Sequence, residues 1–126
     1  MAASVRTTPD VDACLRSDEA LTRAFQILGK RWNALVLGSL QTGPAGFREL
    51  SRAIDGVSDS VLADRLAELT QHDLVRRRVD EGPPVSVSYA LTERGEALMP
   101  ALGAISAWAV QHLPSEAAEG AEVSAG

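Results

Sequence analysis

The sequence predicts a mainly α chain with a small two- or three-stranded antiparallel wing, on three observations. Apolar residues recur at helical spacing in four successive segments between residues 21 and 69. Two short runs then alternate in twos, and one more helical segment follows them. With 126 residues and 45% apolar content, the chain has the size and the material for one domain with a real core.

Taken in order, Leu21, Ala24, Phe25 and Leu28 mark a first helix, with Ser17 a candidate N-cap and Gly29 the stop. Trp32, Leu35, Val36 and Leu40 repeat the period up to the Gly43-Pro44 break, and Phe47, Leu50 and Ile54 give a short third helix ended by Gly56. Ser58 opens a fourth, in which Leu62, Leu66 and Leu69 share one face and Ser60, Ala63, Asp64, Ala67 and Gln71 the other. Val75, Arg77 and Val79 alternate with Arg76 and Arg78, and Val85, Val87, Tyr89 and Leu91 with Ser86, Ser88 and Ala90. Between these strands, residues 80–84 (DEGPP) make a hairpin tip. Thr92 caps a last helix whose stripe of Leu98, Leu102, Ile105 and Trp108 or Ala109 needs a partner. Pro100 predicts a bend near residues 96–100. Outside this domain, read as 17–113, a flexible arm is expected over 1–16 and a disordered acidic tail over 114–126.

A helix that enters the major groove presents short polar side chains near its N-terminus while another helix holds its back. Residues 47–71 supply that pair, with Asp55-Gly56-Val57 as the turn, and the hairpin follows as a wing: a winged helix-turn-helix in its order of elements. The formal net charge of −5 opposes a DNA partner, but its distribution matters more than its sum. From Lys30 to Arg78 eight basic residues face six acidic ones, whereas Glu116, Glu119 and Glu122 crowd the tail.

Other classes find little support. No apolar run of 18 residues and no signal-like leader occur, so a cytoplasmic protein is expected, away from membranes. One cysteine forms no internal disulfide, and His72 and His112 with one Cys do not specify a metal site. Without a glycine-rich phosphate loop or a nucleophile beside a base, neither an enzyme nor a cofactor is expected.

Over roughly residues 14–113 the chain resembles the HxlR-type regulators, a MarR-like winged-helix family. The resemblance rests on Cys14, LGKRW at 28–32, GPAGFREL at 43–50, VSDSVLADRLAEL at 57–69, DLVRR at 73–77, PPVSVSYALTERG at 83–95 and Trp108. It implies a homodimer joined by its terminal helices, with two recognition helices in successive major grooves of a pseudo-palindrome. Ser58, Asp59, Ser60, Ala63, Asp64 and Arg65 correspond to the family's base-facing and phosphate-facing stretch. Arg48, Arg76, Arg78 and Ser86 complete the candidate DNA contacts, with Lys30 and Arg31 as further phosphate contacts. Leu21, Phe25, Leu98, Leu102, Ile105 and Trp108 are the candidate dimer residues. Cys14 matches the cysteine some relatives use as a thiol sensor, and a small-molecule effector is a further candidate partner.

Several residues carry a second reading. Arg65 fits an ion pair with Asp80 or Glu68 as well as a DNA contact. Lys30 and Arg31 fit a solvated helix start, Trp32 and Trp108 fit packing or an effector pocket, and Cys14 fits an inert thiol. Asp59 and Asp64 accept from cytosine N4 but repel phosphate, and Ser86 stands where the family's wing often carries Arg. A winged-helix protein-interaction module without specific DNA binding is the alternative function.

Overall fold

Leu62, Leu66 and Leu69 are almost wholly buried, and the rest of the fold is arranged around them. The computed structural model describes residues 11–115, with side chains from Arg16 onward. Its elements are α1 (Val11–Leu28), α2 (Asn33–Ser39), α3 (Phe47–Ala53), α4 (Asp59–Gln71), β1 (Val75–Asp80), β2 (Ser86–Leu91) and α5 (Glu93–His112). Val36, Leu37 and Leu40 around α2, Leu50 and Ile54 around α3, and the three α4 leucines form a triangular core. Leu74, Val75, Leu91 and Met99 close it from the base of the hairpin and from α5. Truncating any of these leucines to alanine costs about 2–5 kcal/mol, because the cavity left in a close-packed core collapses only in part.

The helices start and stop where local chemistry dictates. Ser58 Oγ accepts from the Val61 amide at 3.2 Å, and Thr92 Oγ1 accepts from the Gly95 amide at 3.1 Å, so both expected caps are in place. α4 ends in a Schellman arrangement: the Leu74 amide donates to the Leu69 carbonyl at 2.9 Å and the Asp73 amide to Thr70 at 3.0 Å. Asp73 occupies the left-handed position at φ 60° that such an ending requires.

β1 and β2 pair antiparallel from Val75↔Leu91 to Asp80↔Ser86. A third strand is reduced to one bridge, in which Ala45 and Tyr89 exchange amide and carbonyl bonds of 2.9 and 2.8 Å. The wing is therefore two-stranded with a single-residue third member. Along β1 only Val75 is buried, because the hairpin projects from the body, and the period of two marks two faces without burying either near the tip.

Three expectations are corrected. α1 already runs from Val11, inside the segment read as an arm, so Ser17 lies within the helix and does not cap it. Trp32 precedes α2 as its N-cap at φ 95°, a left-handed conformation rare for a bulky residue. Leu35 points to solvent, since the buried face of this seven-residue helix is Asn33, Val36 and Leu37. α5 spans Glu93–His112 with Pro100 inside it.

Candidate nucleic-acid interface

α4 is fixed at its back, at its start and on one flank. Its leucines enter the core, Ser58 satisfies the Val61 amide, and Asp59 Oδ1 accepts from Ser51 Oγ of α3 at 3.2 Å. The turn from α3 depends on Gly56 at φ 89°, where an added Cβ would also stand 3.5 Å from the Trp32 ring. The expected residues Ser58, Asp59, Ser60, Ala63 and Asp64 come together on the exposed side of α4, continuous with Ala67 and Gln71. Two carboxylates and no cation lie on that surface.

The cations are placed around it. Arg48 is exposed on α3, and Arg52, four residues on, lines with it a shallow cleft of about 260 Å³ that reaches Asp59. Arg52 was not singled out from the sequence, although i,i+4 spacing puts it beside Arg48. Arg76 and Arg78 are exposed on β1, and Ser86 is exposed opposite Asp80 at the far end of the hairpin. The tip carries Asp80, whose carboxylate accepts from the Gly82 amide at 3.1 Å.

Arg65 does not share the open face of α4. It is half-buried on the flank and pairs with Glu68 at 2.6 Å, so the ion-pair alternative holds and Asp80 is not its partner. Lys30 binds the other oxygen of Glu68 at 2.8 Å, and His72 Nε2 lies 3.9 Å from that oxygen. The Lys30 hydrogen bond is the largest cause holding the Glu68 carboxyl below its ordinary value, against a smaller opposing effect of burial. Arg31 stacks over the Trp32 ring with its guanidinium carbon 4.6 Å from the centroid. Asn33, fully buried, donates to the Ile27 carbonyl at 2.7 Å.

The candidate dimer residues divide in two. Leu21, Phe25, Ile105 and Trp108 are exposed, whereas Leu98 and Leu102 already pack on the core. Between α2 and α5 runs a groove of about 500 Å³ lined by Leu35, Gly38, Leu102, Gly103 and Ile105 among others. The Cys14 side chain lies outside the described residues, as do residues 1–10 and 116–126. Among the described residues, no group of three or more His, Cys, Asp or Glu could hold a metal ion, and no helix is long and apolar enough to cross a membrane.

Helix, glycine turn and capped helix, backed by one leucine core and followed by a hairpin, define a winged helix-turn-helix protein. Residues 27–117 match the HxlR-like helix-turn-helix family, and the chain belongs to it. It is 46% identical over 88 residues to YodB of Bacillus subtilis strain 168, an HTH-type transcriptional regulator, across 70% of this chain and 79% of YodB. The crystal structure of quinone-bound YodB matches the fold with a TM-score of 0.65 at 41% identity, over 74% of this chain and 98% of that one. A MarR-family transcriptional regulator from Enterococcus faecalis V583 matches with a TM-score of 0.69 at 31% identity, over 82% and 89% of the two chains. The relatives are thus transcriptional regulators, not enzymes.

Proposed function

We propose that this chain is a sequence-specific DNA-binding regulator of transcription that acts in the cytoplasm as a homodimer on a pseudo-palindromic duplex. The observation that carries this reading is α4: leucines fasten its back, Ser58 caps its start, and its outer face is open and made of short side chains. Ser58, Asp59, Ser60, Ala63 and Asp64 meet the bases and the nearest phosphates, with Asp59 or Asp64 accepting from cytosine N4. Arg48, Arg52, Arg76 and Arg78 hold flanking phosphates and set the salt dependence. Ser86 follows the wing toward the minor groove as a weak contact. Lys30 and Arg65, joined to Glu68, contribute less than free cations would.

The second copy supplies what the apolar stripes lack. Leu21 and Phe25 of α1 and Ile105 and Trp108 of α5 are large apolar side chains in water, and the α2–α5 groove is left open at Gly38 and Gly103. The crystal structure of quinone-bound YodB supports a small electrophile or oxidant as effector, acting here through Cys14.

Selection of bound fragments from random-sequence duplex DNA tests the reading. The expected result is an enriched pseudo-palindrome, bound more weakly as salt rises. Failure to prefer any duplex over competitor at moderate salt would refute it and leave a protein-interaction module. A quinone or diamide should change affinity in the parent and not in Cys14→Ser.

A further inference from the structure

The turn between α1 and α2 is joined to α4 through a side-chain bond from Lys30 to Glu68. Residues 16–23 of α1 stand in solvent, and only Ala24, Ile27 and Leu28 of its later turns approach the body. Just past them, Lys30 reaches across to Glu68, and Asn33 turns back to hold the last turn of α1 through the Ile27 carbonyl. Glu68 is in turn bonded along its own helix to Arg65. Glu68 and Arg65 are sheltered at 15% and 20% exposure, whereas Lys30 reaches them from solvent at 51%, so the carboxylate end of the joint is the fixed one. Asn33 adds a second sign that the joint is built for position. Its Oδ1 is buried with no hydrogen-bond partner, a cost that a core selected only for stability would avoid with an apolar residue.

We infer that Glu68 is a positioning residue for DNA reading, which locks the recognition helix α4 to the end of α1 and so fixes the separation of the two recognition helices in the dimer. The inference rests on the proposed DNA-binding dimer. α1 bears Leu21 and Phe25 on the arm offered to the second copy, and Glu68 stands where that arm meets α4. Glu68 touches no base in this scheme. It acts on the flank of α4 between the buried leucines and the open face, where a shift of Lys30 becomes a shift of the whole helix.

The test uses the full chain and the tightest duplex that the wild-type protein selects, together with versions carrying one base pair more or fewer between the half-sites. Each change moves one half-site by about 3.4 Å and turns it about the axis, and the wild-type protein should lose about tenfold in affinity. Glu68→Gln and Lys30→Gln should each cut that loss to under about threefold, and Lys30→Arg should retain it. The first two variants alter net charge in opposite senses, so a shared tolerance of spacing comes from the broken joint and not from charge. Thermal melts report folding, and Lys30→Gln, altered at the more exposed partner, carries the test if Glu68→Gln does not fold. Wild-type discrimination in both variants would overturn the inference, as would a uniform tightening in one and weakening in the other. If the wild-type protein selects no duplex, the DNA-binding reading falls and takes this one with it; if it selects one and the variants keep its spacing preference, only this inference falls.

Discussion

Gly95→Ala sets two physical effects of opposite sign against each other. Gly95 lies in the first turn of α5, where helix propensity alone makes alanine better by about 1 kcal/mol. Its neighbours reverse that expectation. An added Cβ would collide with the Leu74 carbonyl oxygen and stand 3.2 Å from both the Leu74 carbonyl carbon and Leu91 Cδ2. Relief requires the start of α5 to move away from the 73–74 turn, to which it is tied by the Thr92 amide on Leu74 at 3.1 Å and by Thr92 Oγ1 on Asp73 at 2.6 Å. Losing those bonds costs about 1 kcal/mol each, and overpacking adds about 1–3 kcal/mol. After the propensity gain, a net loss of about 2–4 kcal/mol is expected. Urea unfolding at matched protein concentration measures it as a lower midpoint with an unchanged slope. A variant as stable as the parent, or more so, would show that α5 does not depend on this close approach.

Asp73→Gly relieves a left-handed residue at the end of α4 and should raise stability by about 0.5–1 kcal/mol; a fall would mean that the aspartate side chain supports the turn. Glu68 is lowered below 4.5 in the folded chain, so its contribution is fully present above that pH and is lost as pH falls through the folded value. The stability gap between the parent and Glu68→Gln should therefore narrow in acid below about pH 4.5, and a gap constant to pH 3 would exclude that linkage. Ile105→Glu puts a charge in the α2–α5 groove and should shift sedimentation toward a monomer at concentrations where the parent is dimeric, without loss of helical circular dichroism.

The parts of the fold legible in the sequence are those in which one residue type does a local job. Ser58 and Thr92 announce helix starts because a hydroxyl is what an unpaired first-turn amide needs, and the α4 leucines announce their face by spacing. A third member of the wing was allowed for but its place at Ala45 was hidden, because Ala45 pairs with Tyr89 through backbone atoms alone, which no side-chain pattern records. Leu35 misled because an apolar residue in a short helix has the same period whether it faces a core or a groove. The open face of the candidate site was legible as well, since it follows from the leucine face by geometry. Its cations were legible in part: Arg48, Arg76 and Arg78 are exposed as expected, whereas Arg52 was missed. Whether Arg65 and Lys30 are free depends on Glu68, and Lys30 lies 38 residues from that carboxylate along the chain.

The bridge at Ala45 also gives the hairpin a mechanical character. Two hydrogen bonds at one residue make a pivot, whereas a full ladder would make a wall. Beyond that pivot, the three residues of β2 from Ser88 back to Ser86 make a lever about 10 Å long. A rocking of ten degrees at the pivot would carry Ser86 through about 2 Å. The base of the hairpin is held by Val75 and Leu91 in the core, so such a motion belongs to the part beyond Tyr89.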